Sequence, residues 1–343
     1  MKRPTISDVA AHAGVSRATV SLVVRESDRI PEATKARVRA SMATIGYVYN
    51  RGAAEMRSMS SNILGLVVAN VRNPYFAELT MAVEEAAAAQ GYTVLLGCSS
   101  DDVTRQTAIL RVMAEHRVDG LILLPASHTT PPDLNSLLGE TRMPHVLVCR
   151  SVQGYSSDYV GADNEASGEL AGRHLREIGV RSAVFIGGVE RSMPREDRRR
   201  GLLAGLAPAV NRLAADVPSA YDGVADLAPL LAQALEDGVP DAIVTYNDMY
   251  AIAVLGALRA QGIEPGRDVA VVGFDDVPDA VRSFPSLTSA QGFPDRVGAL
   301  ATRLLLKSTK NRAAEPTHVL VQPTLSIRQT TLAWAAEQAP IRT

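Results

Sequence analysis

Residues 5–24, TISDVAAHAGVSRATVSLVV, read as two short helices that meet across a tight turn. Thr5 can cap a helix that begins at Ile6, and Asp8, three residues on, is a shorter relative of the capping-box carboxylate. Val9 and Ala10 fall on its inward side. Ala13-Gly14-Val15 breaks the chain, and Ser16 is a good N-cap for a second helix from Arg17 to about Val24. Pro31 opens a third helix in which Val38, Met42 and Ile45 recur at i, i+4 and i+7, and Gly46 closes it. No strand pattern occurs up to that point. The module is basic: residues 1–60 hold ten Lys/Arg against five Asp/Glu, while the rest of the chain holds 25 against 32. A small cationic module facing a polyanion, joined to a larger acidic body, follows from that asymmetry.

The larger body sets the class. With 343 residues, 46% hydrophobic and 21% charged, the chain can bury two or three domain-sized cores, which excludes a disordered or fibrous protein. No apolar run approaches the ~18 residues of a membrane span. The start MKRPTISDVA lacks the apolar region of a signal peptide, so a cytoplasmic protein without a membrane partner is expected. Cys98 and Cys149 are far apart and lack paired zinc spacing, so neither a disulfide framework nor a metal is indicated, and no cofactor is expected. Enzyme readings fare poorly. There is no G-x-S-x-G elbow and no H-E-x-x-H, and the six histidines are scattered. Gly187-Gly188 after a strand reads as a turn.

Residues 46–62, GYVYNRGAAEMRSMSSN, carry little to bury and read as a linker. Asn50 could cap a short helix over 51–57, but Gly52 weakens it by roughly 1 kcal/mol, so it should fold only on a partner. From Ile63 onward, apolar runs of strand length alternate with amphipathic helices. Residues 63–68, 93–96, 120–124 and 146–148 read as strands, with helices near 76–90 and 103–115. The series repeats with strands at 183–186, 242–245 and 269–274 and helices near 165–178, 199–206, 227–235 and 249–261. Such units imply parallel sheets covered on both faces, in two lobes, with a ligand cleft beyond the carboxyl ends of the strands.

In one order along residues 5 to about 331, the segments TISDVAAHAGVSRATVSLVV, NRGAAEMRS, NPYFAEL (73–79), YNDMYAIAVLGAL (246–258) and VVGFDDVP (271–278) closely resemble the LacI/GalR family of bacterial transcription regulators. The resemblance implies an N-terminal all-α helix-turn-helix domain (1–48), a hinge helix and linker (49–61), and an α/β periplasmic-binding-protein-like domain of two lobes with parallel sheets (62–331). Residues 332–343 would be a tail. In that fold the chain crosses between lobes three times, which falls near 162, 291 and 323, with the last lobe-1 helix and strand near 295–307 and 317–321. The implied partners are double-stranded operator DNA, a small-molecule effector such as a sugar or its derivative, and a second copy of the chain.

A helix-turn-helix inserts the start of its second helix into the major groove. Here that end presents Arg17, Ala18, Ser21 and Leu22. Arg17 can bond O6 and N7 of guanine together, worth ~1–3 kcal/mol of discrimination, or it can make an unspecific phosphate contact. Leu22 departs from the polar residue common there in the family and suits a thymine methyl or no reading. Ser7, Ser16, Thr19 and Asn50 suit phosphate contacts, and Thr5 belongs to the same DNA-facing set. Met56 sits where the family places an apolar wedge that enters the minor groove and kinks the duplex.

For the effector, the family pattern points to Tyr75 and Phe76 at the first strand-helix turn, where an aromatic face suits a sugar or base ring. It points also to Ser192, to Arg198 of an R-x-x-G pattern beside Arg199 and Arg200, and to Asn247 and Asp275 at strand ends. Asp248 and Asp276 beside them read as helix-capping or structural. Cys149 stands where the family often has an aspartate. That departure means a ligand with one fewer hydroxyl, a ligand with an anionic group, or simply a buried structural thiol. A ligand-released repressor is the leading reading. A purine-type regulator would use the same parts with opposite sign, tightening on DNA when liganded. A sugar-transport protein would not carry residues 5–60, and a sugar-modifying enzyme would need a catalytic constellation that the sequence lacks.

Overall fold

The computed structural model describes residues 4–24, 26–47, 60–219, 227–310 and 315–338. The chain divides into two units, Met1–Ser61 and Asn62–Thr343. Asn50 and Met56 lie outside the described residues.

The first unit holds α1 (Ile6–Ala13), α2 (Arg17–Val24) and α3 (Glu32–Ile45). The Asp8 carboxylate accepts from both the Thr5 N–H and the Thr5 hydroxyl at 2.7 Å, closing the first turn of α1. Gly14 (φ 65°) and Gly46 (φ 68°) end α1 and α3 in the left-handed region that only glycine enters freely. Val9, Ala10, Ala13, Val20, Val23 and Val38 form one small aliphatic core, rimmed by Ile6, Met42 and Tyr47.

In the second unit the chain builds most of lobe 1 first: β1 (Ile63–Val68), α4 (Pro74–Ala88), β2 (Thr93–Cys98), α5 (Val103–Glu115), β3 (Gly120–Leu123), the short α6 (Pro131–Leu134), β4 (His145–Val148) and β5 (Asp158–Ala162). It then crosses into lobe 2 with α7 (Asn164–Glu177), β6 (Ala183–Val189), α8 (Met193–Leu206) and β7 (Ala215–Ser219). After α9 (Leu227–Ala234), β8 (Ala242–Thr245) and α10 (Asp248–Ala260) come β9 (Ala270–Asp275), α11 (Pro278–Arg282) and β10 (Thr288–Gln291). The chain returns to lobe 1 for α12 (Pro294–Lys310) and β11 (His318–Val321), and ends on lobe 2 with β12 (Thr324–Ser326) and α13 (Gln329–Gln338). The strand orders are β11-β5-β4-β3-β1-β2 and β12-β10-β9-β8-β6-β7. Every pairing is parallel except β10 with β12, so lobe 2 carries one antiparallel edge strand on an otherwise parallel sheet.

Two sequence expectations need correction. The helix expected at 199–206 begins at Met193: Ser192 sits at its N-cap, Pro194 opens its first turn, and the polar run RED hides it from an apolar-period reading. Residues 332–343 are not simply a tail, because α13 continues to Gln338 and buries Trp334 in the core of lobe 2.

The tightest packing in the molecule is between α7 and α8. Gly168 and Gly172 on one helix meet Gly201 and Gly205 on the other, so that the backbones touch. A Cβ on Gly201 would lie 1.9 Å from the Glu165 carbonyl oxygen, and one on Gly168 would lie 2.1 Å from that of Arg198. Neither neighbour is a side chain that can move aside. Gly201→Ala is therefore expected to lower stability by ~3 kcal/mol or more, although the same change in an open helix raises it by roughly 1 kcal/mol. Urea unfolding followed by circular dichroism checks this; an unchanged midpoint contradicts the contact.

Candidate functional site

The first unit presents one face of α2. Arg17 and Ala18 are exposed and Ser21 and Leu22 half-exposed, while Val20 and Val23 point into the core. Ser16 spends its hydroxyl on the helix: Oγ accepts from the Thr19 N–H at 3.0 Å and lies 2.9 Å from the Thr19 hydroxyl. Both side chains therefore start as cap groups. Thr5 is likewise tied to Asp8 and, like Ser7, is exposed at the start of α1. Arg17 has no ion pair among the described residues, which leaves its guanidinium available to a partner.

In the second unit, side chains from both lobes converge on one cleft at the carboxyl ends of the strands. Lobe 1 contributes Asn73, Tyr75, Phe76 and Cys149, and lobe 2 contributes Asn164, Arg198, Asn247 and Asp275. Only about 40 Å³ of this cleft is open to the centre of a water molecule, so the walls are close together. Asn73 caps α4 by accepting from the Tyr75 N–H at 3.0 Å, and Pro74 fixes the first turn; this sends Tyr75 inward. Tyr75 and Phe76 meet edge to face, with ring centres 5.6 Å apart.

Arg198 is the hub of the lobe-2 wall. Its Nε donates to Asn164 Oδ1 at 2.8 Å, one Nη donates to the Tyr246 carbonyl, and the other lies 3.4 Å from Asp275 Oδ1. Its guanidinium also lies over the rings of Tyr246 and Phe274, at 5.2 and 4.9 Å from their centres. Arg199 and Arg200 point away and pair with Glu196, Asp216, Glu165 and Asp197. Asp275 is buried with φ 111°, a left-handed backbone that strains any residue but glycine. Asn73 Nδ2 reaches its other oxygen across the cleft at 3.4 Å. Both of these contacts are long.

Asn247 lines the cleft, but its Oδ1 caps α10 by accepting from the Tyr250 N–H at 3.2 Å. Asp248 is fully buried behind it, accepting from Ser289 Oγ at 2.6 Å and the Val277 N–H at 2.9 Å. Burial first, and then the Asp275 carboxylate, push the Asp248 pKa well above the usual range. Ser192 is buried outside the cleft lining, and its hydroxyl finds no hydrogen-bond partner among the described residues. Cys149 does line the cleft, 3.8 Å from the Tyr75 hydroxyl. Burial pushes its thiol up to about 11, against smaller lowering effects of Tyr75, Arg150 and Arg198.

Sequence reasoning missed Asn73, Arg150, Asn164 and Tyr246. Asn-Pro before the helix is a cap signature that could have found Asn73. Tyr246 meets Arg198 with its ring and with its carbonyl, and for the carbonyl no side-chain pattern exists. Arg150 is buried, paired with Asp101 and donating to the Pro125 carbonyl at 3.0 Å.

A helix-turn-helix carried on a hinged, two-lobed pocket defines the class of ligand-responsive DNA-binding regulators. The profile of bacterial regulatory proteins of the lacI family matches residues 5–50, and that of a periplasmic binding protein-like domain matches residues 173–331. The HTH-type transcriptional repressor PurR of Pectobacterium carotovorum subsp. carotovorum is 31% identical over 332 residues, covering 95% of this chain and 96% of that protein. The HTH-type transcriptional regulator CelR of Thermobifida fusca is 29% identical over 337 residues, 96% of this chain and 98% of that one. Among solved structures, a transcriptional regulator CelR–cellobiose complex has a TM-score of 0.72 at 27% identity, covering 96% of this chain and all of that one. A Lac repressor dimer bound to operator and the anti-inducer ONPF, with a TM-score of 0.84 at 24% identity over 96% and 99% of the two chains, shows the shared fold. The chain belongs to the LacI family of bacterial regulatory proteins. It is a transcriptional regulator, not an enzyme. Among the described residues no helix is long and apolar enough to cross a membrane.

The raised thiol pKa makes a direct prediction. At about pH 8 roughly a thousandth of Cys149 is thiolate, so alkylation by iodoacetamide, followed by mass spectrometry, should be slow and rise about tenfold per pH unit. The folded pKa lies above that of a free cysteine, so the stability tied to the protonated thiol is complete below the free value and is lost as pH rises through about 11. Labelling of the native protein as fast as free cysteine at neutral pH contradicts the burial.

Proposed function

We propose that this regulator is a homodimeric repressor that binds a palindromic operator and is released when a small, neutral, hydroxyl-rich ligand, a sugar or its derivative, closes the cleft. The observation that carries the ligand reading is the charge balance. Arg198 faces Asp275, Arg150 is paired with Asp101, and Cys149 is a neutral thiol, so the cleft offers donors and acceptors without an uncompensated charge. In such a lining a neutral guest recovers its desolvation cost through hydrogen bonds, whereas an ion would be left without a counter-charge. Tyr75 and Phe76 supply the apolar face on which a ring can lie.

In this reading, Tyr75, Phe76 and Cys149 hold the ligand from lobe 1 and Arg198, Asn247 and Asp275 from lobe 2. Arg17, Ala18, Ser21 and Leu22 face base edges, while Thr5, Ser7, Ser16, Thr19 and Asn50 hold phosphates and Met56 wedges the minor groove. Lobe closure and operator binding are coupled, so operator must weaken ligand binding by the factor that ligand weakens operator binding.

A gel shift with sugars, polyols and nucleobases tests the sign: release supports the proposal, and tightening assigns the corepressor reading instead. Arg198→Ala and Asp275→Asn should keep operator affinity and lose the ligand response by about tenfold or more, as expected for a hydrogen bond to a charged group. Arg17→Ala should change base preference at one symmetric pair of positions. Uniformly weaker binding with unchanged preference would make Arg17 a phosphate contact.

A further inference from the structure

Lobe 1 has a second cavity, at the end of its sheet opposite the cleft. His145 opens β4, Asp158 opens β5, and Thr317 precedes β11; all three line it. The last turns of α12 close one side, and a π-helical turn, Asn135–Gly139, which continues from α6, closes another. About 470 Å³ is open to the centre of a water molecule, by the same measure that gives about 40 Å³ in the cleft. Small-molecule pockets run from about 300 to 1,000 Å³. In this conformation it is the second cavity that has ligand-sized room.

Its polar groups fall into two sets. Asp158 is already satisfied, accepting from Ser308 Oγ at 2.6 Å and the Thr317 N–H at 2.8 Å. His145 is also satisfied: Nδ1 lies 2.8 Å from the Met143 carbonyl oxygen, and Nε2 lies 2.9 Å from the Tyr155 hydroxyl. With Nδ1–H donating to the carbonyl, Nε2 accepts from Tyr155, so the ring is neutral scaffolding. Arg142 and Lys307 form the other set. Both are exposed at the mouth, and neither has an ion pair among the described residues. Leu138, Met143 and Leu304 supply an apolar wall. Arg142 holds a left-handed backbone, φ 50°. Strained residues and π-turns both cluster at functional sites, and here the two adjoin one cavity.

We infer that this cavity is a second ligand site, for a small organic monoanion with an apolar body, such as an aromatic carboxylate. The body lies on the apolar wall, and the carboxylate is held by Arg142 and Lys307, the guanidinium being suited to a two-point grip. Glu315, also at the rim, and Asp158, whose hydrogen-bond partners are neutral, match the two cations in number, so the lining suits a single negative charge held at the mouth between Arg142 and Lys307 better than the two of a phosphate monoester.

The test uses the full chain and fluorine NMR with 4-fluorobenzoate as probe and 4-fluorobenzyl alcohol as its uncharged counterpart. The benzoate should bind saturably and at least tenfold more tightly than the alcohol. An Arg142→Ala/Lys307→Ala double variant should weaken the benzoate by tenfold or more. Lys307→Glu, which leaves the Arg142 backbone untouched, should do the same. Arg198→Ala should leave benzoate binding unchanged, which separates this cavity from the cleft. No saturable binding up to about 10 mM, equal binding of the alcohol, or unaltered binding by Lys307→Glu overturns the inference, as does loss of binding in Arg198→Ala.

Discussion

The placing of Asn164 and Arg198 in the lobe-2 wall of the cleft depends on the contact between α7 and α8. Four glycines let the backbones touch, with Gly168 against the Arg198 carbonyl and Gly201 against that of Glu165. One turn from these contacts, Asn164 on α7 and Arg198 on α8 meet at 2.8 Å. The gap between the helices and the length of that hydrogen bond are one constraint. Any side chain at the seam would push the helices apart and draw Arg198 off Asn164 and Asp275. The R-x-x-G pattern joins a cleft-lining residue to the glycine that places it.

Charge in the cleft is arranged in layers. Arg198 sits between two rings and a carbonyl, which hold the cation in place without neutralising it, and leaves Asp275 a long, weak partner at 3.4 Å. Behind Asp275 lies Asp248, whose pKa is pushed upward by burial first and then by the Asp275 carboxylate beside it. Gly273 makes room for it: a Cβ there would lie 2.1 Å from Asp248 Oδ1. The strained Asp275 backbone therefore rests on a packed polar layer.

Much of this was legible in the sequence, for physical reasons that also explain what was not. Caps and breaks are local, so α1, α2 and α3 follow from Thr5, Ser16, Pro31 and the two glycines. Buried parallel strands such as β1, β3 and β8 are nearly all aliphatic and stand out. By contrast β5 (DYVGA), β7 (ADVPS) and β10 (TSAQ) are short and partly polar, and only their neighbours in the sheet make them strands. In the site, Arg198 could be told from Arg199 and Arg200 by glycine spacing, since that spacing is the helix contact itself. Ser192, expected in the cleft, lies buried outside its lining, because whether a residue at a helix start faces a cleft or a core depends on the tilt of the helix. The roles of Asn247 and Asp248 were also ambiguous: the amide caps the helix, while the acid ties α10 to β9, β10 and the start of α11.

Among the described residues, long polar contacts bridge the lobes, and Met193 of lobe 2 packs against the core of lobe 1. Asn73 reaches Asp275 at 3.4 Å, and the Ser151 hydroxyl reaches the Met193 sulfur at 3.1 Å. Bonds of this kind add roughly 1 kcal/mol each at most. The three crossings at 162–164, 291–294 and 321–324 are short and leave rotation about a common axis open. A ligand that bonds Arg198 and Asp275 of lobe 2 and packs on Tyr75 of lobe 1 touches both lobes only when they are together, so the contacts it adds on closure are the part of its binding energy that discriminates closed from open. Shifting such an equilibrium from one state to the other takes about 5.5 kcal/mol of differential affinity. The hydrogen bonds to Arg198 and Asp275, both on lobe 2, are open to a ligand before closure, so this difference has to come from what the ligand gains on lobe 1, where Tyr75 and Phe76 offer a ring face to bury. Contacts with Tyr75 and Phe76 are thereby the part of a ligand's binding energy that can favour the closed lobes.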